Sequence, residues 1–208
     1  MIPGEFYEYI YIIFVALISI PLFKEYSNRQ NSLFGTYNVR SRFPEIFLVI
    51  ILVLFIGFRP ADKAFYDTMF YYDVIANRSL QFYGIDYEVE NLIFDNVLFY
   101  FSYKHWSYTV FFLLIASIYF VCSYIATRKL FPKDTLFAYL VFLAAFSTFS
   151  YSVNGIKAGA ASSIFLLGLA YREKLLISIP LVLLSWGIHH SMSFPIAVYV
   201  VVLLYSKP

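Results

Sequence analysis

The chain has 208 residues, of which 61% are hydrophobic and only 13% charged, with a mean hydropathy of +0.72. About a quarter charged is usual for a soluble domain, so the composition sets a soluble globular fold aside and places the chain in the membrane class. A net charge of +2 carries no signal for nucleic acid, which is not expected as a partner, and the single cysteine, Cys122, excludes an internal disulfide.

A transmembrane helix needs roughly 20 apolar residues, with about 17 to 25 tolerated. In chain order the candidates are Tyr7–Phe23, Pro44–Phe58, Tyr108–Thr127, Thr135–Val153, Gly155–Tyr171, Leu175–Ile188 and Ser193–Tyr205. The prediction is an all-α polytopic bundle of about seven spans, a single integral-membrane domain over residues 1–208. Glu5 and Glu8 stand at the start of the first apolar run and no Lys or Arg precedes it, so that run reads as a span and not as a cleavable signal. The second and the last two runs are short, and their flanks are expected in the headgroup layer.

Orientation follows from Lys and Arg, which are held on the cytoplasmic side. Lys24, Arg29, Arg40 and Arg42 lie in the first loop, and Arg128, Lys129 and Lys133 follow the third span. Arg172 and Lys174 follow the fifth, and Lys207 ends the chain. All four groups share one face if the N-terminus is outside and the spans alternate. Three polar segments then share the outer face: Arg59–Lys104, the turn at Asn154–Lys157, and His189–His190.

The first of these is a large outer loop. In its part Arg59–Glu90, Asp67 and Tyr71 are four apart and share a face if the segment is helical. Beyond it, Ile93, Phe94, Val97, Leu98 and Phe101 recur at helical spacing with Asp95 and Asn96 opposite, predicting an amphipathic helix in the outer interface. Gly155 and Gly159 form a GxxxG pattern that reads as close helix packing.

Packing does not explain Lys157 within that pattern, because a charge there is costly unless it faces protein or a polar cavity. Arg59 is either an interfacial anchor or an anion clamp, since guanidinium pairs with phosphate oxygens through two bonds. Asp67 stands among Phe65, Tyr66, Met69, Phe70 and Tyr71, where desolvation suits a carboxylate to proton transfer. Asp62, Asp86, Glu88 and Asp95 read as solvated loop charges. Glu90 complements a helix N-terminus or works in the site. His189 and His190 offer a proton shuttle or hydrogen-bond donor. Nothing resembles a metal cluster, Walker loop, Rossmann fingerprint or nucleophile elbow.

An arginine closing the second span, an aspartate with a tyrosine four residues on (Asp67, Tyr71), "VENLIF" with Glu90, "NGIKAGAASSIFLLG" and "HHS" occur here in order. This series resembles the EpsG family of exopolysaccharide proteins, relatives of Wzy-type polymerases. The family pattern has Gly-Thr before its aspartate, where this chain has Phe65-Tyr66. It has Arg-Gln after the Asn-Gly turn, where this chain has Lys157-Ala158, which keeps the charge and loses the bidentate geometry. Family members are longer, which implies that C-terminal spans are absent here.

The resemblance implies a glycosyltransferase-type polymerase acting on lipid-linked oligosaccharide at the outer face of the bacterial cytoplasmic membrane. Membrane lipid and other polysaccharide assembly proteins are the expected partners, and neither metal nor nucleotide cofactor is required. Asp67, His189 or His190 would be the base, Arg59 and Lys157 would hold the diphosphate, and Tyr71 would stack on sugar. The alternative is a non-enzymatic transporter or flippase component, or an inactive structural partner of an assembly complex.

Overall fold

The computed structural model describes residues 2–30, 43–76 and 90–205, and among these every regular element is a helix. A short 3-10 turn at Gly4–Phe6 opens into α1 (Tyr7–Gln30). It is followed by α2 (Phe43–Gly57), α3 (Tyr66–Ala76), α4 (Leu92–Tyr103) and α5 (Tyr108–Leu130). Then come α6 (Thr135–Ala144), α7 (Phe146–Val153), α8 (Ile156–Ala170), α9 (Leu175–Ile188) and α10 (Ser193–Tyr205). Arg40, Arg42, Asp86, Glu88 and Lys207, which carried part of the charge argument, lie outside the described residues.

Helix α5 is the spine. Ser107 caps its start by accepting from the Thr109 N–H, and Arg128 and Lys129 complement the dipole at its end. α2 packs along it through Leu48, Val49, Leu52 and Ile56, which recur on one helical face. α8 packs along another side, and α9 folds back on α8, with Ser178 donating to the carbonyl of Gly168.

Side-chain contacts show which helix ends lie together. The Tyr124 hydroxyl donates to Glu45 at the start of α2, and Lys129 lies over the Tyr171 ring that follows α8. The start of α2 and the ends of α5 and α8 therefore share one end of the bundle. At the other end the Gly4 N–H donates to Asp62, Thr68 donates to the Val153 carbonyl ahead of α8, and His189 lies beside Asn91 at the start of α4.

α5 and the stretch Gly4–Pro21 are each long and apolar enough to cross a membrane. α2, α8, α9 and residues 190–205 are shorter apolar helices. Outward-facing Ile20, Phe47, Leu176, Phe194 and Leu204 leave large apolar side chains uncovered, as a helix bundle compatible with lipid does.

The expected span Thr135–Val153 is not continuous. It is two helices bent by 72° at Ala145, which would be a third crossing if counted as one. The break has a local cause: the Thr148 hydroxyl takes the Phe142 carbonyl, and Ala145 is extended at φ −64° and ψ 131°. Ser147, Thr148, Ser150 and Ser152 make this stretch rich in hydroxyls that compete with the helix for its own backbone.

A second correction concerns α4. Its buried face is Phe94, Asp95, Leu98, Phe101 and Ser102, so Asp95 faces inward and Asn96 alone of the expected polar pair is exposed. The helix packs on α3 and α9.

Candidate functional site

The site is built around the turn between α7 and α8. Gly155 precedes α8 and offers it no side-chain cap, so the first N–H groups of the helix are left without one. Lys157 stands in that first turn, where a cation opposes the macrodipole. Its compensation comes from α4: Lys157 Nζ lies 3.5 Å from Asp95 Oδ1 and 5.6 Å from the Phe94 ring centroid. Asp95 is 0% exposed, so this is a buried carboxylate with a cation as its ion-pair partner, not the solvated loop charge expected from the sequence. Gly159 allows the turn to close, because a Cβ there would meet the Tyr151 carbonyl oxygen at 2.5 Å.

Asp95 is also tied to its own helix start. Its Oδ2 accepts from the Asn91 N–H at 2.8 Å, while the Asp95 N–H donates to the Asn91 carbonyl at 3.0 Å. This reciprocal pairing satisfies an orphan donor at the helix N-terminus, much as a capping box does. Asn91, itself 2% exposed, turns its Oδ1 toward the end of α9. There it accepts from the His190 N–H at 3.2 Å and lies 3.1 Å from His189 Nδ1. Gly187 permits this approach: a Cβ at that position would meet Ile93 Cδ1 at 2.5 Å. Lys157, Asp95, Asn91 and His189 therefore connect α8, α4 and α9.

Arg59 anchors the neighbouring part of the site. It is 2% exposed, so it does not snorkel to an interface and that reading is set aside. Nε donates to Thr68 Oγ1 at 2.8 Å and Nη1 to the Ile56 carbonyl at 2.9 Å. The guanidinium lies 4.3 Å from the Phe112 ring centroid, and Thr68 in turn donates to the Val153 carbonyl at 2.8 Å. Burial pulls the Arg59 pKa down to about 9, with Tyr7 opposing, so the group remains cationic at neutral pH.

Among the described residues, four buried side-chain atoms make no hydrogen bond: Ser19 Oγ on α1, Arg59 Nη2, Asn154 Oδ1, and Asp95 Oδ1, which has Lys157 as its ion-pair partner. Buried polar atoms are normally satisfied, so Arg59 Nη2 and Asn154 Oδ1 have capacity for a polar ligand or ordered water.

Asp67 is half-buried on α3. Burial raises its pKa, and the charge of Lys157 works against that rise. His189 is pushed the other way: burial, Lys157 and His190 lower its pKa, and Asp95 and Glu90 partly restore it. His190 is exposed and stacks on Trp186 at 5.0 Å and 24°. Glu90 is exposed immediately before Asn91 and bears on His189 through its charge.

Tyr71 is placed differently from its expected role. It is 3% exposed, with Phe94 and Phe111 packed against its ring. Stacking on a sugar needs an open ring face, and Tyr71 instead supports the wall that positions α4. Among the described residues no three His, Cys, Asp or Glu side chains gather into a metal-holding group.

The three polar segments predicted to meet do so through Arg59–Thr68–Val153, Asp95–Lys157 and Asn91–His189. Asn91 and Asp95 were missed as site residues. The available signal was an asparagine directly before an apolar helical run, with an acid four residues later on the same face.

No curated protein matches the chain, and no solved structure does. The family model of the EpsG family matches residues 43–207. That stretch holds α2 to α10 and every residue of the site, and the chain belongs to the EpsG family.

Proposed function

We propose that this protein joins or transfers oligosaccharide units carried on polyprenyl diphosphate, at the outer face of the bacterial cytoplasmic membrane, during exopolysaccharide, capsule or O-antigen synthesis. The observation that carries the reading is Lys157, whose charge bears on both Asp67 and His189, at the end of an apolar bundle where Arg59 is tied to α3 through Thr68. Membership of the EpsG family supports an exopolysaccharide-related membrane protein, and lipid-linked oligosaccharide as the substrate class is part of the proposal.

In the reaction an acceptor hydroxyl oxygen bonds to the anomeric carbon of the donor sugar. The bond from that carbon to the diphosphate oxygen breaks, and its electron pair leaves with the diphosphate. A base takes the hydroxyl proton, and Asp67, His189 and His190 are the candidates. Arg59 and Lys157 neutralise the departing charge. Among the described residues Arg59 Nη2 has no hydrogen-bond partner, and guanidinium is suited to phosphate oxygens. A transport pathway would place ionisable groups near the bilayer midplane. Here they lie at helix ends, which favours the enzyme.

The topology proposed with this reading has about seven crossings and an external N-terminus. In a Cys122→Ser background, Lys63→Cys and Lys104→Cys should react with an impermeant thiol reagent in intact spheroplasts, and Lys133→Cys should not. The reverse pattern overturns the outward site. For the activity, Arg59→Ala, Asp67→Ala, Lys157→Ala and His189→Ala are tested in cells lacking the native copy, with the glycan ladder as readout. Long polymer from stable, inserted variants would end the polymerase assignment.

A further inference from the structure

We infer that Asn91 is a positioning residue that holds the His189 ring as its Nδ1–H tautomer and so presents Nε2 as the proton acceptor. The inference rests on the proposed glycosyl transfer for its use of the base, and on geometry alone for the tautomer.

The assignment follows from one shared oxygen. The side-chain atom of Asn91 nearest the α9 end lies 3.2 Å from the His190 backbone nitrogen and 3.1 Å from His189 Nδ1. A backbone N–H only donates, so the atom facing it must be the carbonyl Oδ1, and flipping the amide would set two donors against each other. With an acceptor oxygen opposite it, Nδ1 must carry the proton of the neutral ring. The lone pair is then on Nε2.

Asn91 has little freedom to change this. Its backbone N–H is held by Asp95 Oδ2, and it is almost fully buried at the start of α4. The bare Cα of Gly187 lets α9 approach Ile93 closely enough for the contact to form.

The charges facing the ring come from every neighbouring element. Lys157 on α8 and His190 disfavour the imidazolium, while Asp95 on α4 and Glu90 ahead of it favour it. Burial adds to the unfavourable side, and the ring is lowered from its ordinary value. An amide partner suits this balance. It orients the imidazole without adding the negative charge that would hold a proton on it, so the base stands neutral near pH 7. The proton taken by Nε2 is the one leaving the acceptor hydroxyl, and it passes afterwards to the released diphosphate or to water.

The test uses the full chain in nanodiscs with 15N-labelled histidine, with His105→Asn and His190→Gln isolating the His189 signals. The expected spectrum shows a protonated Nδ1 and a non-protonated Nε2. Asn91→Ala should give a mixture of tautomers. Asn91→Asp keeps the acceptor and the shape but adds charge, so the His189 titration and the acid limb of the pH–kcat/KM profile should both move to higher pH. An Nε2–H ring in the otherwise native site overturns the inference, as does an unmoved titration in Asn91→Asp. Full-length polymer made by His189→Gln overturns the base role. The spectra need no substrate, so a protein with no polymerase activity refutes the functional reading without deciding the tautomer.

Discussion

The ion pair between α4 and α8 makes an asymmetric prediction. Lys157→Met removes the cation 3.5 Å from a carboxylate that is 0% exposed. At an effective dielectric of 20 the direct attraction at that distance is about 5 kcal/mol. Lys157 is itself 19% exposed, and solvent screening brings the loss to about 3 kcal/mol, the low end for breaking a buried pair. At roughly 2–4 °C per kcal/mol for a chain of this length, the apparent unfolding midpoint should fall by about 6–12 °C.

Asp95→Asn should cost far less, about 1 kcal/mol. An amide oxygen still accepts from the Asn91 N–H, and the lysine left behind has a route to solvent. The double variant should be more stable than Lys157→Met alone, because no uncompensated carboxylate remains buried. Thermal unfolding of detergent-solubilised protein, followed by size exclusion with fluorescence detection, measures all three. The reasoning is refuted if the two single variants cost the same, or if the double variant equals their sum.

Gly187→Ala should destabilise by about 1–3 kcal/mol, since its Cβ would overlap Ile93 Cδ1, and trimming Ile93 to Ala should recover part of the unfolding midpoint. Thr68→Val removes the hydroxyl between Arg59 Nε and the Val153 carbonyl, leaving both buried groups unsatisfied at a cost of about 2 kcal/mol; Thr68→Ser should restore the midpoint. Because the folded pKa of His189 lies below its ordinary 6.5, the unfolded chain binds more protons between the two values. Stability should therefore be flat above about pH 6.5 and decline as pH falls through the folded value, and His189→Gln should flatten that decline in a midpoint–pH series.

Much of this protein was legible in the order of its residues. Apolar runs, few charges and helical spacing are local properties, and they specified a helical, membrane-compatible chain with the EpsG pattern. The Lys and Arg distribution over alternating runs also predicted that Arg59–Lys104, Asn154–Lys157 and His189–His190 would share one side, and among the described residues Asp95 meets Lys157 and Asn91 meets His189. The short hydroxyl-rich stretch after Leu143 was read for its apolarity alone. Its break at Ala145 depends on a threonine reaching back to a carbonyl, a competition that hydropathy does not register.

What the sequence by itself determined was which segments are helical and which residues are polar. Only the tertiary structure decided which way the polar ones face. A helix turns about 100° per residue, so Asp95 and Asn96, adjacent in the chain, project in different directions. Asp95 became a fully buried ion-pair partner because Lys157 came to it on another helix. Tyr71 became core because α4 and α5 closed over its ring, and Arg59 was drawn inward by Thr68 and Phe112. Burial of a charge or a ring depends on its partners, and these partners are separated in sequence but adjacent in the fold.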